Sequence, residues 1–188
     1  MKDHVDLGLP SGTMWATCNI GANQPEENGS YYAWGEFVTK LKYDWDNYAI
    51  CWVFLNKYNI NDKYGKVDNL TELELLDDAA NQNWGNEWQI PSDTQWEELF
   101  TSCKWQWTKE KGVMGYKVIG ANGNSLFLPV TGCFRGDKLV GSKHLGGYWS
   151  RTLFSVPSDA WSLFFYPDDV DLTNCMRYLG LCIRPVRR

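Results

Sequence analysis

The sequence predicts an α+β fold, and three observations carry that reading. The second half is a succession of short strand-like runs separated by glycine and asparagine turns. Two segments in the middle show helical spacing behind capping residues. The whole chain is rich in large rings, with 11 Trp and 10 Tyr among 188 residues. Rings at that density fill irregular gaps in a fold short of regular secondary structure.

The first third is turn-rich, in "LGLPSG", "NIGANQPEENGS" and "NKYNINDKYGK", with strand-like runs "TMWATCNI" and "SYYAWGEF" between. In "TELELLDDAANQNWG", Leu73, Leu76 and Ala80 fall on one helical stripe. Thr71 with Glu74 makes a capping box there, and Gly85 a stop. A second helix is expected in "PSDTQWEELFTSC". Ser92 with Gln95 forms its capping box, and Trp96, Leu99, Phe100 and Cys103 form its stripe. Strands then follow in "GYKVIG", "SLFLPVTGCF", "GGYWSRT", "AWSLFFY", "DVDLT" and "LCIRPV". There is no internal repeat and no linker, so residues 1–188 are expected to form a single domain.

Composition narrows the function. The net charge is -5, and only Arg187 and Arg188 form a basic run, which speaks against a phosphate-binding face. The apolar runs fall well short of a membrane span. The opening "MKDHVDLGLPSG" reads as globular rather than as a signal segment. The six cysteines (Cys18, Cys51, Cys103, Cys133, Cys175 and Cys182) form no CxxC, and with only His4 and His144 they are poor material for structural zinc. Their even count permits disulfides; buried free thiols fit it equally, and are favoured.

The most informative stretch is "AWSLFFYPDDVDL", two strands joined by a turn at Pro167, Asp168 and Asp169. Trp161, Leu163 and Phe165 alternate with Ser162, Phe164 and Tyr166; Val170 and Leu172 alternate with Asp171 and Thr173. Successive strand residues point to opposite faces. The first set is uniformly apolar and reads as the core face. The second mixes serine, aromatics and acid, and reads as the outer face.

Taken in order, "VDLGLPSGTMWATCNIGA", "YYAWGEF", "DDAANQNWGNEWQIPSDTQWEELF", "GYKVIGANGNSLFLPVTG", "GYWS" and "AWSLFF" resemble the Fibrobacter succinogenes major paralogous domain family, abundant in gut Bacteroidetes. The closing "LGLCIRPVR" resembles the terminal strand of the same fold subtype. The resemblance implies a C-type lectin-like fold with two helices and a Trp-rich antiparallel β core, of the subtype shared with formylglycine-generating enzyme. A narrower resemblance is to the variable proteins of diversity-generating retroelements, whose final segment is rewritten at adenine-containing codons. Phe154, Ser162, Phe164, Tyr166, Asp171, Thr173, Cys175, Tyr178 and Leu179 are all reachable from an AAC codon, and Met176 is not. The candidate variable region is 147–188. Trp161, Leu163, Phe165, Val170, Gly180 and Arg184 would be its fixed scaffold.

Three chemistries bear on that reading. The formylglycine-generating enzymes use a cysteine pair, but Cys175 and Cys182 do not match its spacing, and Cys182 sits inside the terminal strand motif. No GxSxG elbow accompanies either histidine, and Glu97 and Glu98 are adjacent on a helix and so diverge. The calcium motifs Glu-Pro-Asn and Trp-Asn-Asp of sugar-binding lectins are absent, and Asp168 and Asp169 have the composition of a turn. The expectation is therefore a non-enzymatic recognition domain with neither metal nor cofactor. Its ligand face would comprise Phe154, Ser162, Phe164, Tyr166, Asp171, Thr173, Cys175, Tyr178, Leu179 and Leu181. Its partner would be a cell-surface protein or glycan, met outside the cell by a phage particle or a displayed adhesin. A formylglycine-generating-type enzyme and a structural surface module are the alternatives.

Overall fold

A computed structural model describes residues 3–50, 54–85 and 87–187; Cys51 and Arg188 lie outside them. In chain order the elements are β1 (His4–Asp6), β2 (Met14–Ala16), α1 (Ala79–Trp84), α2 (Asp93–Ser102), β3 (Lys104–Glu110), β4 (Val113–Ile119), β5 (Ser125–Pro129), β6 (Cys133–Arg135), β7 (Lys138–Val140), β8 (Gly146–Leu153), β9 (Asp159–Tyr166), β10 (Asp169–Met176) and β11 (Val186–Arg187), with two single 3-10 turns before α1. Every pairing between these strands is antiparallel. The class is therefore β-rich α+β.

The strands form sheets β1-β2-β11, β10-β9-β8 and β3-β4-β5, plus the hairpin β6-β7. The β8–β10 sheet is the middle layer, because both of its faces are packed. Tyr148 and Trp149 are consecutive on β8 and so point to opposite faces. Trp149 joins a cluster with Trp34, Tyr58, Ala160 and Leu181, whereas Tyr148 joins Trp15, Trp96, Leu163 and Phe165. The strand opposite Phe165 needs a glycine: a Cβ at Gly146 would lie 2.0 Å from the Phe165 ring.

The tail is woven into this layer. Cys182 lies beside Tyr148 on the free edge of β8, and Leu181 pairs with Tyr32. Two fully buried arginines brace it. The Arg177 guanidinium lies 4.6 Å from the Trp34 ring, between Tyr48 and Tyr58. It donates to the Tyr48 hydroxyl and to the carbonyls of Tyr58, Pro157 and Lys57. Arg184 donates to Asn19 Oδ1 and to the carbonyls of Ala16 and Thr17, tying the tail to β2.

The second predicted helix forms as expected. Ser92 accepts from Gln95 N, and the Gln95 side chain accepts from Ser92 N. Trp96 and Leu99 are buried, but Phe100 is exposed, so the stripe is narrower than expected. The first helix is much shorter than predicted. It begins at Ala79 because the buried Asp78 carboxylate takes the N-cap, accepting from Ala80 N and Asn81 N. Upstream, Leu73 N donates to Arg151 O rather than to a helical turn, and Leu76 is 72% exposed. Gly85 ends the helix, as expected. "SYYAWGEF" forms no strand beyond the Tyr32–Leu181 bridge. Strand β3 was not anticipated, although Trp105 and Trp107 alternate with Lys104, Gln106 and Thr108 along it.

Candidate functional site

The β9–β10 hairpin closes through a two-residue turn at Pro167 and Asp168. Tyr116 pins that turn, its hydroxyl donating to Pro167 O at 3.0 Å. The ladder then runs without a bulge, from Tyr166 opposite Asp169 to Asp159 opposite Met176. Opposite residues share a face, so Ala160, Ser162, Phe164 and Tyr166 stand with Cys175, Thr173, Asp171 and Asp169. Gly147 and Trp149 of β8 continue the same rows.

This mixed face is open only toward the turn. Tyr166 is 44% exposed, its ring stacked beside His144 with centroids 6.1 Å apart. Asp171 is exposed and Thr173 half-buried. Phe164 is half-buried against the Trp34–Trp149 cluster, as is Cys175. Ser162 is fully buried, and its hydroxyl donates to Thr173 O. The first third of the chain roofs this end of the sheet, which alternation alone does not reveal.

The remaining candidates scatter. Tyr178 is half-buried with its ring 4.9 Å from that of Trp45. Leu179 and Leu181 were expected at outward or loop positions, but both are buried, because the chain turns inward after β10 and pairs with Tyr32. Phe154 packs edge-on against Trp161, centroids 4.9 Å apart. Trp161 itself, expected in the core, is only half-buried, while Leu163 and Phe165 on the same face are fully covered. Tyr166, Asp171, Thr173 and part of Phe164 thus form one continuous surface; Ser162, Leu179 and Leu181 have no part in it.

No two thiols are joined among the described residues. Cys18, Cys103, Cys133, Cys175 and Cys182 are all unpaired. Cys175 and Cys182 lie on strands three inter-strand steps apart, about 14 Å, well beyond disulfide reach. Burial raises the Cys175 thiol far above the usual range, and pushes Cys182 up to about 12. Both are therefore neutral thiols at ordinary pH, whereas nucleophilic chemistry needs the thiolate. Among the described residues, no group of three or more His, Cys, Asp or Glu side chains is arranged to hold a metal ion. Nor is any helix among them long and apolar enough to cross a membrane.

Apart from this face, a concavity that the sequence did not single out opens between residues 35–50 and Asp77. Its volume is about 510 Å³, and Glu36, Phe37, Val38, Lys40, Ile50 and Asp77 line it. Exposed Phe37 and Val38 form its apolar rim. Its charges are already engaged: Lys40 pairs with Glu36 and donates to Asn47 O, and Asp77 pairs with Lys57 and accepts from the Tyr58 hydroxyl.

No protein-family model, no curated protein and no solved structure matches the chain.

Proposed function

We propose that the chain is a calcium-independent recognition domain of C-type lectin-like fold, which binds a cell-surface protein or glycan through the open part of the β9–β10 face. Tyr166 and Asp171 make the primary contacts, and Thr173 and the exposed edge of Phe164 flank them. The observation that carries this reading is the division within one hairpin. Tyr166 and Asp171 are exposed, while Leu163 and Phe165 behind them are completely buried. Such a surface can change its side chains without loss of the ladder that holds them. Tyrosine suits the task, giving a large contact area with few rotatable bonds.

The fold assignment is supported by the pairing of the N-terminal strand β2 with the C-terminal strand β11, and by a tail threaded beside β8. Together with the resemblance in motif order, this favours a retroelement-type variable protein working outside the cell, on a phage particle or as an adhesin. The separation of Cys175 and Cys182 and the raised pKa of both thiols count against a formylglycine-generating-type activity.

The test is binding to a panel of intact gut bacteria, surface proteins and glycans, with and without a calcium chelator. Binding that survives chelation and falls at least tenfold in Tyr166→Ala/Asp171→Ala supports the reading. Chelator-sensitive binding, or binding indifferent to the double substitution, overturns it. At the gene level, a nearby copy of the codons for 147–188 should carry adenines at Tyr166, Asp171 and Thr173. Mismatches spread evenly over Leu163, Phe165 and Cys182 would contradict a variable face.

A further inference from the structure

The outer edge of β10 is an unfinished sheet. β10 ends the order β10-β9-β8, and no isolated bridge among the described residues continues it. Its hydrogen-bonding phase follows from the ladder. The turn closes on Tyr166 and Asp169, and Arg177 N donates to Ser158 O in the same phase. Odd-numbered residues of β10 therefore bond to β9, and Val170, Leu172 and Asn174 direct their N–H and C=O groups away from it. Among the described residues, none of these six groups has a hydrogen-bond partner outside the β9–β10 ladder.

Edge strands are normally blunted by lysine, proline, bulges or brevity. Strand β3, the end of its own sheet, fits that habit, with Lys104, Lys109 and Glu110. Strand β10 is less guarded: it is eight residues long, holds no Lys, Arg or Pro, and pairs without a register shift, its only charges being Asp169 and Asp171 on one face.

We infer that β10 pairs antiparallel with β10 of a second copy of this chain, about a two-fold axis at Leu172. The occupant is a second copy because the strand is complementary to itself in this register. A two-fold axis normal to the sheet keeps each residue on its own face, so only residues of equal parity can be opposed. Centring on Leu172 puts Leu172 opposite Leu172, and Val170 opposite Asn174 of the second copy. The three facing pairs then supply about six main-chain hydrogen bonds. The same register sets Asp171 against Thr173 and Asp169 against Cys175, so no carboxylate meets another. The result is one sheet running from β8 through both β10 strands to the second β8, with the two Tyr166–Asp171 surfaces on the same side. The pairing uses main-chain groups, so it tolerates changes of outer side chains and stands whether or not that surface binds a receptor.

Asp171 and Thr173 form a non-hydrogen-bonded pair across the seam, where Cα atoms approach to about 4.5 Å, within disulfide range. Two single variants, Asp171→Cys and Thr173→Cys, are mixed under mild oxidation and compared with each alone. A covalent dimer that forms predominantly in the mixture is the expected result. Asn174→Pro removes an outward N–H that the monomer does not use. It should raise the dimer dissociation constant at least tenfold in sedimentation while the circular dichroism spectrum is retained. A chain that stays monomeric at high concentration overturns the inference. So does a dimer that gives no mixed crosslink, or one unaffected by a folded Asn174→Pro.

Discussion

Phe164 and Asp171 face each other across the β9–β10 ladder, yet the ring of Phe164 rests on the Trp34–Trp149 cluster while Asp171 stands in water. The two share a face, a register position and a neighbouring turn. What divides them is distance from the roof that the first third of the chain lays over β8. The same gradient runs along the whole face, from buried Ser162 to exposed Tyr166.

Substitution should therefore divide the outer face in two. Tyr166→Ala, Asp171→Ala and Thr173→Ala should each change stability by less than about 1 kcal/mol. Leu181→Ala, which opens a cavity at a fully buried position, should cost about 2–5 kcal/mol. Urea denaturation midpoints for the four variants check this directly.

Arg177 is the strongest candidate for a structural keystone. Replacing it with Ala strands four acceptors and empties the space between Trp34, Tyr48 and Tyr58. The expected cost is about 3 kcal/mol or more. Lys is not an adequate substitute, because one ammonium cannot reproduce the planar fork that reaches all four. Thermal unfolding should place both variants well below the native protein.

Asp78 should leave a mark on the pH profile. Burial raises its carboxyl from 3.8 to about 6, against the lowering effect of the N–H groups of Ile90, Asn81 and Ala80. The folded state thus holds this proton more tightly than the unfolded chain. Its contribution is fully present below about pH 4 and is lost as pH rises through about 6, a change of about 3 kcal/mol. Asp78→Asn cannot titrate there, so its stability curve should lack that decline between pH 4 and 6. Equal slopes for the two proteins would show that Asp78 does not titrate in this window.

Cys182 should resist alkylation in the native protein. Its pKa of about 12 leaves about a thousandfold less thiolate than an ordinary cysteine, and its side chain is fully buried. Iodoacetamide labelling mapped by mass spectrometry should find Cys182 unmodified in the native protein and modified once it is denatured. Rapid native labelling would reopen a catalytic reading of that thiol.

Much of this was legible in the sequence, for identifiable reasons. The Ser92–Gln95 capping box and the alternation of Leu163 and Phe165 are local signals that no tertiary contact overrides, unlike the Thr71–Glu74 box. The length of α1 was not legible, because Asp78 competes for the cap and Leu73 is drawn to Arg151 O. Neither influence is visible from spacing. β3 carries a period-two signal in Trp105 and Trp107, but it is short and lies directly between a helix and a stronger strand. The exposure of Ser162, Leu179 and Leu181 was beyond reach, since alternation names a face and tertiary contacts decide whether it is covered.

The central claim is that one hairpin separates a fixed scaffold from a free recognition surface. The most direct measurement is a display library randomised at Tyr166, Asp171 and Thr173 alone, scored for folding by protease resistance and for binding to a panel of bacterial surfaces. The prediction is that most members fold, and that binding preference across the panel changes with the residues at these positions. Wholesale loss of folding, or preferences identical across the library, would contradict it.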